Sequence, residues 1–581
     1  MPIDTLKISG QDIVAAQDGK CTSAVELAAF LIIIFAFNIL IVTTLLFWAD
    51  VSISQYHIWI SLVLSLGITR YIACSNRVWL LATAGFALAI LVGGATLGWF
   101  YDFSGDGQWY HQPGIMGLAQ GWNPFIAPQL EEWDVNFEHD LTNAAVYVQH
   151  YAKGPWIIAA VVHKTTGMLE STKIFNLLYM VAAYLVAVRY LGSVGLSSIW
   201  SQLLALAAAF NPVSIYQMMS SFVDGQVASL CTVLFVLSLG YFQKPRPRTL
   251  VLIAATVVLL ANTKFTGLVY ASLLGIGFTV IALMKRLPTE SGKYAGTGIA
   301  SLLLAIFVAG YQPYVTNYLS KGNPFYPAVD RDEEAEIATE GQFDLWAPPE
   351  FLAMNRFEKM TRSLLAESSA ATDMPRLKIP FSIAKQELYI FFNTEPRYGG
   401  FGPLFGSILL VILLVYALAR KDMAGRAWNA GAALALLVIL SVLPNPEAWW
   451  ARLAPQFWLA PVILIAAMAV GASGWQRRAA GALVLLLLIN SLIVAGLNWG
   501  RALEKNLAYR DQLQKLHSLS FAGPLEVKID PRFQIVTEHR LRSDSITYQV
   551  VEKLACPDPY RFSYPNFPAR AQAAACPSGS S

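Results

Sequence analysis

The chain has 581 residues, 55% of them hydrophobic and only 14% charged, where a globular protein has about a quarter charged. With 12% aromatics and long apolar runs, this composition describes a polytopic membrane protein rather than a soluble one. A formal net charge of +3 is too small to point to nucleic acid, and five cysteines at scattered spacings make neither a disulfide scaffold nor a zinc site.

Residues 1–23 are polar, carry no cleavable signal pattern and read as a tail. Apolar segments follow at approximately 24–48, 55–72, 78–100, 172–190, 198–217, 226–242, 249–261, 266–284, 296–316, 401–419, 427–443, 453–472 and 479–497. They predict an all-α membrane domain over 24–499 with about thirteen transmembrane helices and two long loops, 101–171 and 318–400. Several segments are shorter than the ~20 residues of a straight crossing.

Basic residues set the expected orientation. Arg70 and Arg77, then Lys244, Arg246 and Arg248, then Lys285, Arg286 and Lys293, then Arg420, Lys421 and Arg426, and finally Arg477 and Arg478 occupy five short loops. With these spans all five fall on one side, which predicts a cytoplasmic amino terminus and an outer carboxyl terminus. Residues 500–581 read as a small outer α/β domain: a helix over 500–519, then short strands at Leu525–Ile529, Gln534–Thr537 and Ile546–Val551. Cys21 and Cys74 fall on the reducing side and Cys231 inside a span. Cys556 and Cys576 lie in the outer tail, and the sequence leaves open whether they are bridged.

The unusual sequence gathers on the outer side. Tyr101 to Phe125 directly follows a span, so Asp102 and Asp106 emerge within about a turn of its end. Carboxylates at the rim of a membrane cavity are costly to keep there without a job, although capping a helix is the plainer role. On one helix face the pair would raise each other's pKa. His111, five positions after Asp106, reads first as a structural histidine, with a partner role for that carboxylate or an acceptor contact as the alternative. Lys153, in the turn Lys153-Gly154-Pro155-Trp156, is a compact charge suited to phosphate; snorkelling at the interface explains it equally well. Lys264 interrupts a long apolar stretch and is a functional candidate by default. Arg452, beside Trp449 and Trp450 at the start of a span, suits a bidentate phosphate contact and equally an anchor to lipid headgroups. Arg397 lies just before another span among glycines that allow close backbone approach to a ligand, although making a turn is their plainer role. The acidic runs Glu131–Asp140 and Asp330–Glu340 read first as solvated loops.

An acidic residue just outside a span, a Gly-Trp-Asn-Pro turn at 121–124, and a Lys-x-Pro turn opening an apolar run that ends in Gly167 together resemble the GT-C integral membrane glycosyltransferases. The likeness is closest to the branch holding the lipid A aminoarabinose transferases and the protein O-mannosyltransferases, and covers roughly residues 75–500. Asp106 and Tyr110 match that family's acidic residue and following tyrosine, Lys153 to Trp156 its Lys-Pro-Pro-Leu turn, and Asp224 its later aspartate at the outer end of a helix hairpin. The chain departs from the pattern at Gly107, where the family often has a second acidic residue, and at Trp109, where some members have a basic one. Two extra spans precede the loop, which implies a distinct subfamily.

The resemblance implies a GT-C fold in the bacterial inner (cytoplasmic) membrane and an inverting transfer on the periplasmic face. The sugar would move from a polyprenyl-phosphate donor to a hydroxyl acceptor on a lipid, glycan or protein. Asp106 would be the catalytic base, with Asp102 beside it. Lys153, Lys264, Arg452 and Arg397 would hold the donor phosphate, and His111, Tyr110 and Asp224 would contact the acceptor or support the base. No cofactor is expected: that branch does not generally require metal, with a divalent ion on the acidic loop as the alternative. Two other functions remain in view, a polysaccharide polymerase or ligase using a lipid-diphosphate donor and a transporter of a lipid-linked glycan. The crowding of ionisable residues on one face argues against the transporter.

Overall fold

A computed structural model describes residues 22–127, 142–328, 347–371, 373–421, 423, 425–554, 556, 560–563 and 572–577. The acidic runs Glu131–Asp140 and Asp330–Glu340 lie outside the described residues. Most of the chain is helical. Each of the expected apolar segments contains helix, and among the described residues eight helices are long and apolar enough to cross a membrane. Other segments form shorter helices, among them Tyr56–Ile72, Pro247–Thr263 and Phe405–Leu418.

Helix Ala24–Trp48 is apolar all round and sits inside the bundle, with Leu31, Ala36, Ile39 and Leu40 fully buried. It packs against Asn76–Trp99, Ile174–Ser193 and Pro247–Thr263. Helix Asn76–Trp99 lies at the edge of the bundle and exposes Leu80, Leu81, Leu88 and Leu91, a surface that suits lipid rather than water. Following the chain through the helices brings all five basic loops to one end of the bundle. Asp224, Lys264 and the segment after Trp99 lie at the other end.

Helix Gly474–Ser520 runs 47 residues without a break, roughly 70 Å at about 1.5 Å per residue. The last expected span and the helix expected over 500–519 are therefore one element, and residue 500 falls inside it. The helix enters a C-terminal unit with a four-stranded sheet in the order β2-β1-β4-β3. Its strands are β1 (Leu525–Lys528), β2 (Tyr548–Val550), β3 (Tyr560–Ser563) and β4 (Gln572–Pro577). β1 pairs with β2 in parallel and with β4 antiparallel, and β3 pairs with β4 antiparallel.

The strand expected at Gln534–Thr537 is instead the start of helix Gln534–Ser543. Ile535, Val536 and Thr537 favour a strand locally, but the Asp530 carboxylate accepts from Arg532 N and Pro531 opens a helical turn. Val536, Thr537, Arg540 and Leu541 then bury one helical face. Cys556 and Cys576 are bridged. Cys74, expected as a reduced thiol, is also disulfide-bonded. Cysteine state therefore does not separate the two ends of the bundle.

The C-terminal unit grips the segment after Trp99. Phe103 joins the cluster of Tyr509, Leu513, Leu525, Val527 and Phe562. From helix Gln534–Ser543, the buried Arg540 donates to Glu170 Oε1 at 2.8 Å, to the Asp102 carbonyl at 2.8 Å and to Gln108 Oε1 at 3.0 Å. Glu170 also accepts from Lys173 Nζ at 2.6 Å and from the Asp102 amide at 3.0 Å. Removing this carboxylate leaves two buried cations facing each other. Glu170→Ala is expected to cost about 3–5 kcal/mol, read as a lowered unfolding midpoint of the purified protein; an unchanged midpoint would show that the network contributes no net stability.

Candidate functional site

Helix begins again just after Asp102, and Gly107–His111 forms a π-helical turn. Such a turn closes over five residues. It brings Asp106, Tyr110 and His111, spaced by four and five, onto one wall of a cavity of about 490 Å³. Gly107 is required there. A Cβ on it would lie 2.2 Å from Asp102 Oδ2 and 2.2 Å from Ser104 Oγ, so the acidic side chain of the resembled family has no room.

The opposite wall is a helix hairpin. Pro247–Thr263 and Phe265–Met284 are separated by Lys264 alone, which is extended (φ −162°, ψ 153°). Gly267 lets the two helices approach, since a Cβ there would lie 2.1 Å from the Leu260 carbonyl oxygen. Gly154 does the same for the neighbouring turn, where a Cβ would meet Asn262 O at 2.6 Å. Asp224 opens helix Asp224–Gln243 and accepts from Lys264 Nζ at 2.8 Å and Gln217 Nε2 at 3.1 Å.

Arg452, on the short turn Ala451–Leu453, joins the two walls. Its Nη1 lies 2.7 Å from Glu395 Oε1, 3.7 Å from Asp106 Oδ2 and 3.8 Å from Asp224 Oδ2. Its guanidinium sits over the Trp450 ring at 4.3 Å, and Trp450 Nε1 donates to the Pro396 carbonyl at 3.0 Å, pinning the Glu395 turn. Burial opposes charge on Arg452, but Glu395, Asp224 and Asp106 outweigh it and hold its pKa well above the ordinary value. The carboxylates differ in access: the side chain of Asp224 is 3% exposed and that of Asp106 25%. Of these two, only Asp106 is open to the cavity without rearrangement. Tyr110 OH donates to Asp106 Oδ2 at 3.1 Å, orienting it. The remaining lining is largely apolar and aromatic, including Tyr151, Trp156, Phe222, Val269, Tyr270 and Phe325.

The structure thus brings Asp106, Tyr110, His111, Asp224, Lys264 and Arg452 together. Three sequence candidates lie elsewhere. Asp102 is fully buried and does not share a helical face with Asp106, because residues 101–104 are not helical. Its carboxylate accepts from Ser104 N at 2.8 Å, Ser104 Oγ at 2.6 Å and Ser221 N at 2.6 Å, and burial raises its pKa. Lys153 is turned away from the cavity, which Tyr151 and Trp156 on either side of it line. Its Nζ donates to the carbonyls of Gln149 at 2.9 Å and Tyr151 at 3.0 Å and lies near the Trp122 and Trp156 rings, and burial pushes its pKa well down. Arg397 is not on the lining; it sits 5.7 Å from the Trp450 ring, on the turn that also carries Glu395. Glu395 was not singled out from the sequence. Its adjacency to Arg397 is the one local signal.

His111 Nδ1 accepts from Trp156 Nε1 at 2.7 Å, so the neutral ring carries its proton on Nε2. Burial lowers its pKa to about 3; Asp224 opposes this, and Lys264 and Arg452 add to it. An unfolded chain holds histidine near about 6.5. Between those values the unfolded state binds a proton that the native state does not, so this contribution to stability is complete above about pH 6.5 and is lost as pH falls toward about 3. The unfolding midpoint is expected to drop between about pH 7 and about pH 4, and to drop less in His111→Gln. Equal slopes for the two proteins would contradict the buried neutral imidazole.

No known protein family matches the chain, and neither a curated protein nor a solved structure matches it.

Proposed function

We propose that the chain is a GT-C-type membrane glycosyltransferase that moves a sugar from a polyprenyl-phosphate donor to a hydroxyl acceptor. One observation carries this reading. Asp106, Asp224, Lys264 and Arg452 come from four distant parts of the sequence and line one largely apolar cavity at the end of the bundle away from the basic loops. The proposed arrangement has thirteen crossings, with the basic loops in the cytoplasm and the cavity opening to the periplasm of a bacterial inner membrane. The acceptor is a lipid, glycan or protein.

In this mechanism the acceptor hydroxyl gives its proton to the Asp106 carboxylate as its oxygen attacks the anomeric carbon. The bond from that carbon to the phosphate oxygen breaks on the opposite face, and its electron pair leaves with the phosphate, so configuration inverts. Arg452 and Lys264 stabilise the charge that grows on the leaving phosphate. The aromatic and apolar lining takes the sugar and the first part of the lipid chain. Asp224, sealed between Lys264 and Arg452, positions those cations rather than reacting.

In the absence of donor, Asp106, Asp224 and Glu395 outnumber Lys264 and Arg452 by three charges to two. Glu395 is the most exposed of the three, at 38%, and holds the shortest contact with Arg452. An arriving phosphate takes its place on Arg452 and the Glu395 side chain swings out. A second reading, a lipid-diphosphate donor, draws support from Arg356 on the cavity wall and Arg397 against the Trp450 ring, two further cations near a single phosphate site. Whether a monophosphate or a diphosphate donor is consumed separates the two.

Two variants test the mechanism with purified protein and a polyprenyl-phosphate sugar. Asp106→Asn is expected to lower turnover by roughly 10²–10⁴-fold while the unfolding midpoint stays near that of the parent; full turnover would remove Asp106 as the base. Glu395→Gln is expected to lower the donor KM by about 2- to 5-fold, and a raised KM would mean that Glu395 binds the donor instead of competing with its phosphate.

A further inference from the structure

A second charged cluster lies at the opposite end of the bundle. Glu26, in the first turn of helix Ala24–Trp48, has three guanidiniums around its carboxylate. Arg189 Nε lies at 3.6 Å, Arg246 Nη1 at 3.8 Å and Arg248 Nη2 at 3.4 Å. Arg189 comes from the last turns of helix Ile174–Ser193, Arg246 from the turn that joins Asp224–Gln243 to Pro247–Thr263, and Arg248 from the first turn of the latter helix. These four side chains carry three positive charges against one negative.

The cluster is also open. The side chain of Arg189 is 41% exposed, and those of Arg246, Arg248 and Glu26 are 19%, 17% and 22% exposed. The Nε–H of Arg246 has no hydrogen-bond acceptor among the described residues, and that of Arg189 has only Glu26 Oε2 at 3.6 Å. Burial and the neighbouring Arg248 both act against charge on Arg246. An anion seated here would offset the excess positive charge of these four side chains. Guanidiniums favour phosphate, whose oxygens match their fork of donors. The cluster sits at the ends of spanning helices, the level at which lipid headgroups lie. Helix Asp224–Gln243 separates it from the cavity by 20 residues, roughly 30 Å at about 1.5 Å per residue, so a molecule in the cavity does not reach it.

We propose that Arg189, Arg246 and Arg248 form a binding site for the phosphate of an anionic phospholipid headgroup, separate from the cavity and independent of the transfer reaction. Basic pockets between membrane helices hold such headgroups through charge and hydrogen bonds together.

The test follows thermal unfolding of the full-length protein in a neutral detergent. Phosphatidylglycerol, phosphatidylcholine and inorganic phosphate are added separately to the parent, to the double variant Arg246→Gln/Arg248→Gln, and to Arg246→Lys/Arg248→Lys. Phosphatidylglycerol is expected to raise the parent's midpoint by a few degrees and phosphatidylcholine to leave it unchanged. The Gln pair is expected to lose most of that rise. The Lys pair, which keeps the charge and loses the fork, is expected to keep part of it. A comparable rise with inorganic phosphate alone supports the phosphate site and assigns it to a soluble anion instead of a lipid. An equal rise with phosphatidylcholine, no rise with either anion, or the same rise in the parent and the Gln pair overturns the proposal. Should the Gln pair fail to fold, the Lys pair decides: a rise equal to the parent's overturns it.

Discussion

A guanidinium that is shielded from water cannot shed its charge, so the protein has to build around it. Arg452 imposes that constraint here. Its Nη1 faces carboxylates at positions 106, 224 and 395, on three separate segments, and its flat face rests on Trp450. Meeting all of these contacts fixes the segments relative to one another, and Lys264 is drawn in because it shares Asp224. Pairing charges in a low-dielectric pocket rarely adds net stability. A cluster of five charges at one end of an apolar bundle therefore calls for a use, and charge held ready for a charged substrate is the use that fits.

The site is held from behind by a second ionic network. Glu170 is clamped between Lys173 and Arg540, and Arg540 reaches across from the C-terminal unit to the Asp102 carbonyl and Gln108. Asp102 closes the same arrangement by accepting from Ser104 and from the Ser221 amide, three residues before Asp224. The segment carrying Asp106 is thus tied to the segment carrying Asp224 and to the C-terminal sheet. The π turn from Gly107 to His111 then sets three side chains on the cavity wall. The geometry of the wall thus rests on packing outside the cavity.

The helical segments were legible because membrane helices are written in runs of apolar residues, and the basic loops because lysine and arginine crowd one end. Asp106, Lys264 and Arg452 were legible for a related reason: an ionisable side chain at the edge of such a run is costly to keep there; Asp224 was marked only by the family resemblance. What the sequence withheld was direction. Lys153 has the expected chemistry and sits between cavity-lining residues, yet its side chain turns away; Arg397 lies behind Trp450 and off the lining. Asp102 and Asp106 are four apart and serve different ends, because the helix that would have paired them starts only after Asp102. Arg540 and Glu170 are 370 positions apart, and nothing local marks them as partners. The misread helix Gln534–Ser543 failed for a different cause: its β-branched start matches a strand, and only the Asp530–Pro531 cap and the buried face reveal the helix.

The most direct test of the account is an experimental structure of the protein with a polyprenyl phosphate bound. The account predicts the phosphate between Arg452 and Lys264, within hydrogen-bond distance of both, with the Glu395 side chain withdrawn and the lipid chain along the apolar lining. A phosphate bound only at Arg189, Arg246 and Arg248, or a cavity that stays closed around its own ion pairs at saturating lipid, would contradict it.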